Sequence, residues 1–278
     1  MNAAARADGT IDQEWDRYTA AEHGVWHTLF ERQTRLLGDR ACRQFIAGMQ
    51  ALPLEPHRIP DFRRLSDVLH RRTGWEVVAV PGMIPDGVFF EHLANRRFPA
   101  GHFIRKSHQL DYLEEPDVFH DVFGHVPMLM DPVMADFIQA YVRGGLRAQA
   151  LGTLEQLARV YWYTVEFGLV RESGSPSGSP SGSQAGALRP YGAGLASSFT
   201  EATYCLESPE PQRLRFDLER VMRTRYRIDD FQETYFVLDS LDDLLALAQI
   251  DFAPLYARIQ ALPELNPSGS AAGDRSAA

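Results

Sequence analysis

One stretch, Glu-Pro-Asp-Val-Phe-His-Asp-Val-Phe-Gly-His-Val-Pro at 115–127, limits the possible folds of this chain more than any other. It sets His120 and His125 five residues apart, with carboxylates at Asp117 and Asp121. Five residues turn an ideal α-helix through roughly 500°, so the two rings would diverge by about 140°. Only i,i+3 and i,i+4 pairs share a face of such a helix. A π-bulge, or a helix end at Gly124, would bring the rings together, and π-bulges favour functional sites. Pro116 suits a first helical turn and Pro127 helps to stop the segment. Spacing alone allows either two ordinary histidines near a helix end or a pair of metal ligands, and it does not identify a metal.

Composition excludes several classes. With 278 residues and 45% hydrophobic content, the chain can bury a substantial core. A formal net charge of −9 and a pI near 5.5 argue against nucleic-acid and anionic-membrane surfaces. The first ten residues have no apolar run of the signal-peptide kind, and no later stretch is apolar enough for a membrane span. Cys42 and Cys205 are the only cysteines and form no CxxC, so a reduced, cytoplasmic protein is the expectation.

Helical signals dominate the chain. Residues 1–13 read as a flexible start. Thr19 and Glu22 form a capping box ahead of Val25, Trp26, Leu29 and Phe30 at helical spacing. Asp39 and Asp61 are candidate caps for the next two helices, and Gly74 ends the second of them. A strand is predicted at 75–80 and another at 102–105, with a helix opened by Asp86 between them. Asp131-Pro132, Thr153, Ser198, Asp217 and Ser240 mark further helix starts, and 234–238 is strand-like. Ser-Gly-Ser-Pro repeats make 173–187 a flexible loop, and 266–278 reads as a disordered tail. The expected fold is mainly α with a few short strands, as one catalytic domain over 14–262.

Glu166 lies in Tyr-Trp-Tyr-Thr-Val-Glu-Phe-Gly at 161–168, among apolar and aromatic neighbours. A buried carboxylate needs a partner, either an arginine or a metal shared with His120 and His125. Two imidazoles and one carboxylate leave coordination positions open, as in non-haem Fe(II) oxygenases. Zinc hydrolases use the same ligand types, although no HExxH motif is present.

Three stretches together, 115–127, Thr-Val-Glu-Phe-Gly at 164–168 and Tyr-Gly-Ala-Gly-Leu-Ala-Ser-Ser at 191–198, resemble the pterin-dependent aromatic amino acid hydroxylases, on their bacterial phenylalanine-hydroxylating side. Weaker similarity runs from Tyr18 to about Leu245. The resemblance implies an Fe(II) site of His120, His125 and Glu166, and conversion of L-phenylalanine to L-tyrosine with O2 and a tetrahydropterin such as tetrahydrobiopterin. It implies a catalytic domain without the additional domains of the animal enzymes, acting as a monomer. Arg105 matches the family arginine for the substrate carboxylate and Asp117 the acid that orients it; a guanidinium fork suits that task. Trp162, Ser197 and Val237 match substrate-side positions, with Trp162 expected on the same helical face as Glu166. Gly82, Met83, Ile84, Phe89 and Asp121 match the pterin side. Leu113 and Asp121 depart from the threonine and glutamate of animal members. Three alternatives are a hydroxylase acting on tryptophan or tyrosine, a zinc hydrolase using the same three residues, and a silent binding protein on the same scaffold.

Overall fold

Local chemistry accounts for most helix boundaries in the computed structural model, which describes residues 5–111, 115–149, 154–172, 186–250 and 252–277. Thr19 and Glu22 close a full capping box at the start of Ala20–Leu37. Asp61 caps Phe62–Thr73, and Gly74, with φ at 75°, closes that helix in the left-handed region that favours glycine. Asp131 Oδ1 accepts from the backbone N–H groups of Val133 and Met134 at 2.9 and 3.1 Å, starting Pro132–Gln149. Ser198 and Asp217 likewise cap Phe199–Glu207 and Leu218–Arg223.

Other boundaries differ from the sequence expectation. Asp39 caps nothing: the chain continues in turns beyond Leu37, and Cys42 becomes the cap of Arg43–Ala51, its Sγ accepting from Phe45 N–H. Asp86 opens Asp86–Ala94 from inside the first turn, with Pro85 at the cap position. The predicted strand at 102–105 is displaced to Arg97–Gly101 (β2), which pairs in parallel with Glu76–Val80 (β1). Beyond His102 the chain turns away, and Phe103 O accepts from Val118 N–H instead. A further helix, Phe252–Gln260, follows the expected last one, Asp243–Ala248.

The second sheet has the order β4-β3-β6-β5, built from Leu169–Glu172 (β3), Ala187–Pro190 (β4), Gln212–Arg215 (β5) and Thr234–Leu238 (β6). Helices outweigh these short strands, so the molecule is mainly α. The domain extends beyond 14–262. Ile11 is buried and bridges Ala79, while Asp8 holds Thr10 and Arg97, so the described part of the start is anchored. Residues 265–277 run back along the domain: Ser276 bridges Leu214, Ala277 N–H donates to Arg213 O, and Asp274 pairs with buried Arg220. Its low apolar content suggested disorder, but backbone pairing, an ion pair and the buried methyl of Ala277 dock it. The loop expected at 173–187 lies outside the described residues up to 185, as do Leu113 and Thr153.

Candidate metal centre and flanking pockets

The histidine segment is a π-helix over Phe119–His125, continuing directly into an α-helical turn, Val126–Leu129. Pro127 therefore does not stop the segment; it occupies the first α-helical turn, where a missing N–H costs nothing. Bonding of the i→i+5 type widens the turn and brings residues five apart onto one side. The two rings meet edge-on with centroids 5.1 Å apart. On the other side Phe119, Val122, Phe123 and Val126 are fully buried, with Phe119 stacked on Phe123 at 4.8 Å. Apolar burial thus fixes the orientation that turns the imidazoles inward to the site.

Glu166 also ends a π-helical segment, Trp162–Glu166, which follows the α-helix Leu154–Tyr161. The α-helical geometry expected to align Trp162 with Glu166 is not the one formed here; Tyr161, five residues before Glu166, has its ring 6.5 Å from that of His125. Two glycines let the surrounding backbone close in. A Cβ on Gly124 would stand 2.8 Å from Ala193 O, and one on Gly192 would stand 2.3 Å from Glu166 O. These contacts press the short helix Ala193–Ser197 against both π-segments.

The resulting geometry fits a metal ion. His125 Nε2 lies 3.2 Å from Glu166 Oε1 and His120 Nε2 lies 3.6 Å from Glu166 Oε2. Ligands bound at about 2.1 Å in adjacent octahedral positions lie about 3 Å apart, close to these separations. The protonation pattern points the same way. Ser197 Oγ lies 2.8 Å from Ala193 O, to which its one proton is donated, and 2.8 Å from His120 Nδ1. It therefore accepts from Nδ1–H, an assignment made from the hydrogen-bond network. His120 Nε2 is then a lone pair facing a carboxylate oxygen, which repels unless a cation lies between them. Burial pushes His120 down to about 4, which keeps it in the neutral form a ligand requires. Burial also opposes charge on Glu166, but the two imidazoles hold its carboxyl below the usual range. For His125 burial is outweighed by Glu166, and its pKa is raised.

Asp121 is a second carboxylate near the histidines: its ligand atom and those of His120 and His125 lie within 4.8 Å of one another. Its Oδ2 already accepts from Gly101 N–H at 2.7 Å, and burial pushes the carboxyl up to about 7. Glu166 faces both imidazoles and is the better third ligand.

Arg105 and Asp117 form a buried bidentate pair, Nε to Oδ2 at 2.8 Å and Nη2 to Oδ1 at 2.9 Å. Asp117 also accepts from the backbone N–H groups of Arg105 and His120, tying the pair to the first π-segment. Burial raises the carboxyl of Asp117, but Arg105 more than offsets this, and the net shift is downward. A guanidinium has five N–H donors, so this fork leaves others for a second carboxylate.

Trp162 stacks on Tyr226 at 4.3 Å and packs against Phe167 at 4.8 Å. Val237, in β6, is buried in a cluster with Phe167, Leu195 and Tyr235 that Trp162 borders. On the other flank Phe89 meets Phe90 and Tyr161 edge-to-face and stacks in parallel with neither ring. A flat heterocycle can therefore use its face. Gly82 and Met83 lie against Glu115, whose Oε1 accepts from Met83 N–H at 3.2 Å; Ile84 follows in the same loop. The sequence reading missed Tyr161 and Phe98, whose rings flank His125 at 6.5 and 4.9 Å. For Tyr161 the available signal was its five-residue spacing from Glu166, the same as that of the histidines.

A family profile described as biopterin-dependent aromatic amino acid hydroxylase matches residues 13–257. Phenylalanine-4-hydroxylase of Caulobacter vibrioides is 57% identical over 270 residues, covering 97% of this chain and 88% of that protein. The phenylalanine-4-hydroxylase of Chromobacterium violaceum is 54% identical, covering 91% and 81%. The solved structure of the Chromobacterium phenylalanine hydroxylase with cobalt bound matches at a TM-score of 0.92 and 50% identity, covering 99% of this chain and 95% of that one. Another solved form of that enzyme, with bound oxidized Fe(III), matches at 0.91 and 50% identity, covering 98% and 95%.

Proposed function

The chain belongs to the biopterin-dependent aromatic amino acid hydroxylases, and from that premise we propose that it hydroxylates L-phenylalanine to L-tyrosine with O2 and a tetrahydropterin. The observation that carries the reading is the convergence of His120 and His125 on Glu166, at 3.6 and 3.2 Å. These three side chains hold Fe(II). With a reduced pterin, iron at this site supplies activation of O2.

The protein supplies ligation, orientation and exclusion of water. Arg105 binds the substrate carboxylate through donors that its fork to Asp117 leaves over, and Asp117 keeps the guanidinium plane fixed. Trp162 and Val237 wall the pocket for an unoxidised phenyl ring, and Ser197 links the substrate side to His120. A phenol entering that apolar pocket would lose its water contacts, at a cost of roughly 1–3 kcal/mol. Phe89, the backbone of Gly82, Met83 and Ile84, and Asp121 would hold the tetrahydropterin, Phe89 through the ring face that no neighbouring aromatic stacks on. We assign a cytoplasmic, monomeric enzyme. Cys42 and Cys205 are both unpaired, as in a reducing compartment. The exposed large hydrophobic side chains among the described residues, Met83 and Ile228 foremost, are scattered along the sequence.

The test is product analysis with phenylalanine, tyrosine and tryptophan under Fe(II), tetrahydrobiopterin and O2. Tyrosine formed from phenylalanine, lost with an Fe(II) chelator and not rescued by Zn2+, supports the assignment. Absence of tyrosine from an iron-loaded protein overturns it, and preferred turnover of tryptophan overturns the substrate.

A further inference from the structure

Trp162, read above as a wall of the phenylalanine pocket, meets the segment at 225–232 through two contacts of its own and one made by its neighbour. Its ring stacks on Tyr226, the neighbouring Tyr163 hydroxyl donates to Arg225 O at 2.7 Å, and its own Nε1–H donates to Gln232 Oε1 at 2.9 Å. Gln232 has little rotational choice. Its Nε2 donates to Arg227 O at 2.8 Å and also reaches Asp230 O, so the amide cannot turn over without placing two donors against the indole N–H. Its backbone N–H donates to Glu201 Oε1 at 3.0 Å, and Tyr235 Oη donates to the same oxygen at 2.9 Å. Gln232 is 2% exposed and Glu201 8%.

An interior carboxylate held only by neutral donors is costly. This one joins three elements: the helix Phe199–Glu207, the segment before β6, and β6 itself at Tyr235. We propose that Gln232 is a positioning residue for the substrate ring, acting through the indole of Trp162, and that Glu201 holds Gln232 in place. The inference rests on the assigned reaction and on Trp162 as a pocket wall. Gln232 touches neither the metal ligands nor the Arg105 fork. Losing it therefore loosens the ring of the substrate while iron and the carboxylate contact remain.

The experiment compares iron-loaded wild type, Gln232→Met, Trp162→Phe, their double variant, Glu201→Gln and Glu201→Leu. The readouts are KM for phenylalanine, kcat, bound iron, and tyrosine formed per tetrahydropterin oxidised. Gln232→Met keeps the volume but removes the acceptor. It raises KM for phenylalanine about fivefold to tenfold and lowers the yield of tyrosine per pterin, with iron content unchanged. The double variant is no worse than the worse single variant, because both remove one contact. Glu201→Gln keeps an acceptor oxygen and behaves as wild type, whereas Glu201→Leu shifts KM and yield in the same direction as Gln232→Met. Unchanged KM and yield in Gln232→Met, or effects that multiply in the double variant, overturn the proposal. If Gln232→Met does not fold, the Glu201 pair decides: equal KM and yield in Glu201→Gln and Glu201→Leu overturn it. A wild type that makes no tyrosine defeats the assigned reaction and this inference with it. Wild-type turnover with an indifferent Gln232→Met defeats this inference alone.

Discussion

For His120 as a proposed metal ligand, the hydrogen bonds of Ser197 select which ring nitrogen is left free. Donation to Ala193 O leaves the hydroxyl oxygen to accept from Nδ1–H, which presents Nε2 to the metal position. Ser197→Ala removes that acceptor, and outer partners of metal-bound histidines typically contribute 10–100-fold in affinity. We expect a loss of that order in Fe(II) or Co(II) affinity with little change in folded stability, read by titration against a competing chelator. Unchanged affinity would mean that packing alone orients the ring. Glu201 allows a separate test at the same scale. Burial raises its carboxyl from 4.5 to about 7, so between those values the folded protein holds a proton that the unfolded chain releases. The contribution of this group to stability therefore falls as pH rises through that window, by on the order of 2–3 kcal/mol. Glu201→Gln should flatten the decline between pH 5 and 8 and exceed the wild type in stability at pH 8. Parallel curves for the two proteins, from denaturant titrations at each pH, would contradict the raised value.

At the level of elements, the two π-segments decide what could be read from the sequence. Histidines five residues apart cannot share a face of an α-helix, which pointed to a π-bulge or a helix end at Gly124, of which the π-segment formed. Glu166 stood out only as a carboxylate among apolar neighbours, and its grouping with the histidines rather than with an arginine came from the family resemblance. The second distortion, at Trp162–Glu166, left a weaker mark, the five-residue spacing of Tyr161 from Glu166, in which only one partner is a usual ligand type. Capping boxes and Asp caps were legible because they are satisfied within three residues, as at Thr19, Asp61 and Ser198. Arg97–Gly101 was not, because Pro99 and Gly101 are poor strand formers and only parallel pairing with β1 makes the stretch a strand. Cys42 displaced Asp39 for a similar reason: how far the turn after Leu37 runs depends on contacts made elsewhere. Close packing of the π-segment predicts the effect of Gly124→Ala. The added methyl would stand 2.8 Å from Ala193 O and 3.2 Å from Ala193 Cβ, pushing Ala193–Ser197 off the histidines. Overpacking of this kind costs about 1–3 kcal/mol. The displaced element carries Ser197, so bound iron should fall along with the melting temperature. A variant that melts earlier but binds iron with wild-type affinity would show that the displacement is absorbed away from Ser197.

For the molecule as a whole, the last stretch of chain is the part that composition misjudged. Small and polar residues after Pro267 cannot build a core, which is why disorder was the natural reading. Docking here uses other interactions. Gln212 Nε2 and Thr234 Oγ1 donate to Ser268 O and Pro267 O, Arg215 N–H donates to Arg275 O, and Arg171 reaches Ala277 O. Arg220 is buried and makes its ion pair with Asp274 at 2.9 Å, while its Nη2 reaches Gly269 O. Ala277 is 3% exposed and shares a cluster with Val237, Phe167 and Leu195, beside the proposed ring pocket. The tail thus covers the β5 edge and packs on the outer side of the wall proposed for the substrate pocket. Deleting 266–278 would remove the Asp274 carboxylate together with the chain that covers Arg220, whereas Asp274→Ala leaves the guanidinium covered without its partner, and removing one partner of a buried pair costs about 3–5 kcal/mol. Asp274→Ala isolates that contribution and should account for most of the loss. Pairing Asp274→Ala with Arg220→Met, which removes the charge while keeping the length, should recover a large part of the lost stability, since no buried charge then stands alone. Iron affinity should stay near wild type in all three, because no tail contact reaches His120, His125 or Glu166. Denaturant unfolding of the iron-loaded proteins provides the measurement. A deletion that unfolds at the wild-type midpoint would show that the tail rests on the domain without stabilising it, and would return Arg220 to the role of a charge solvated in place.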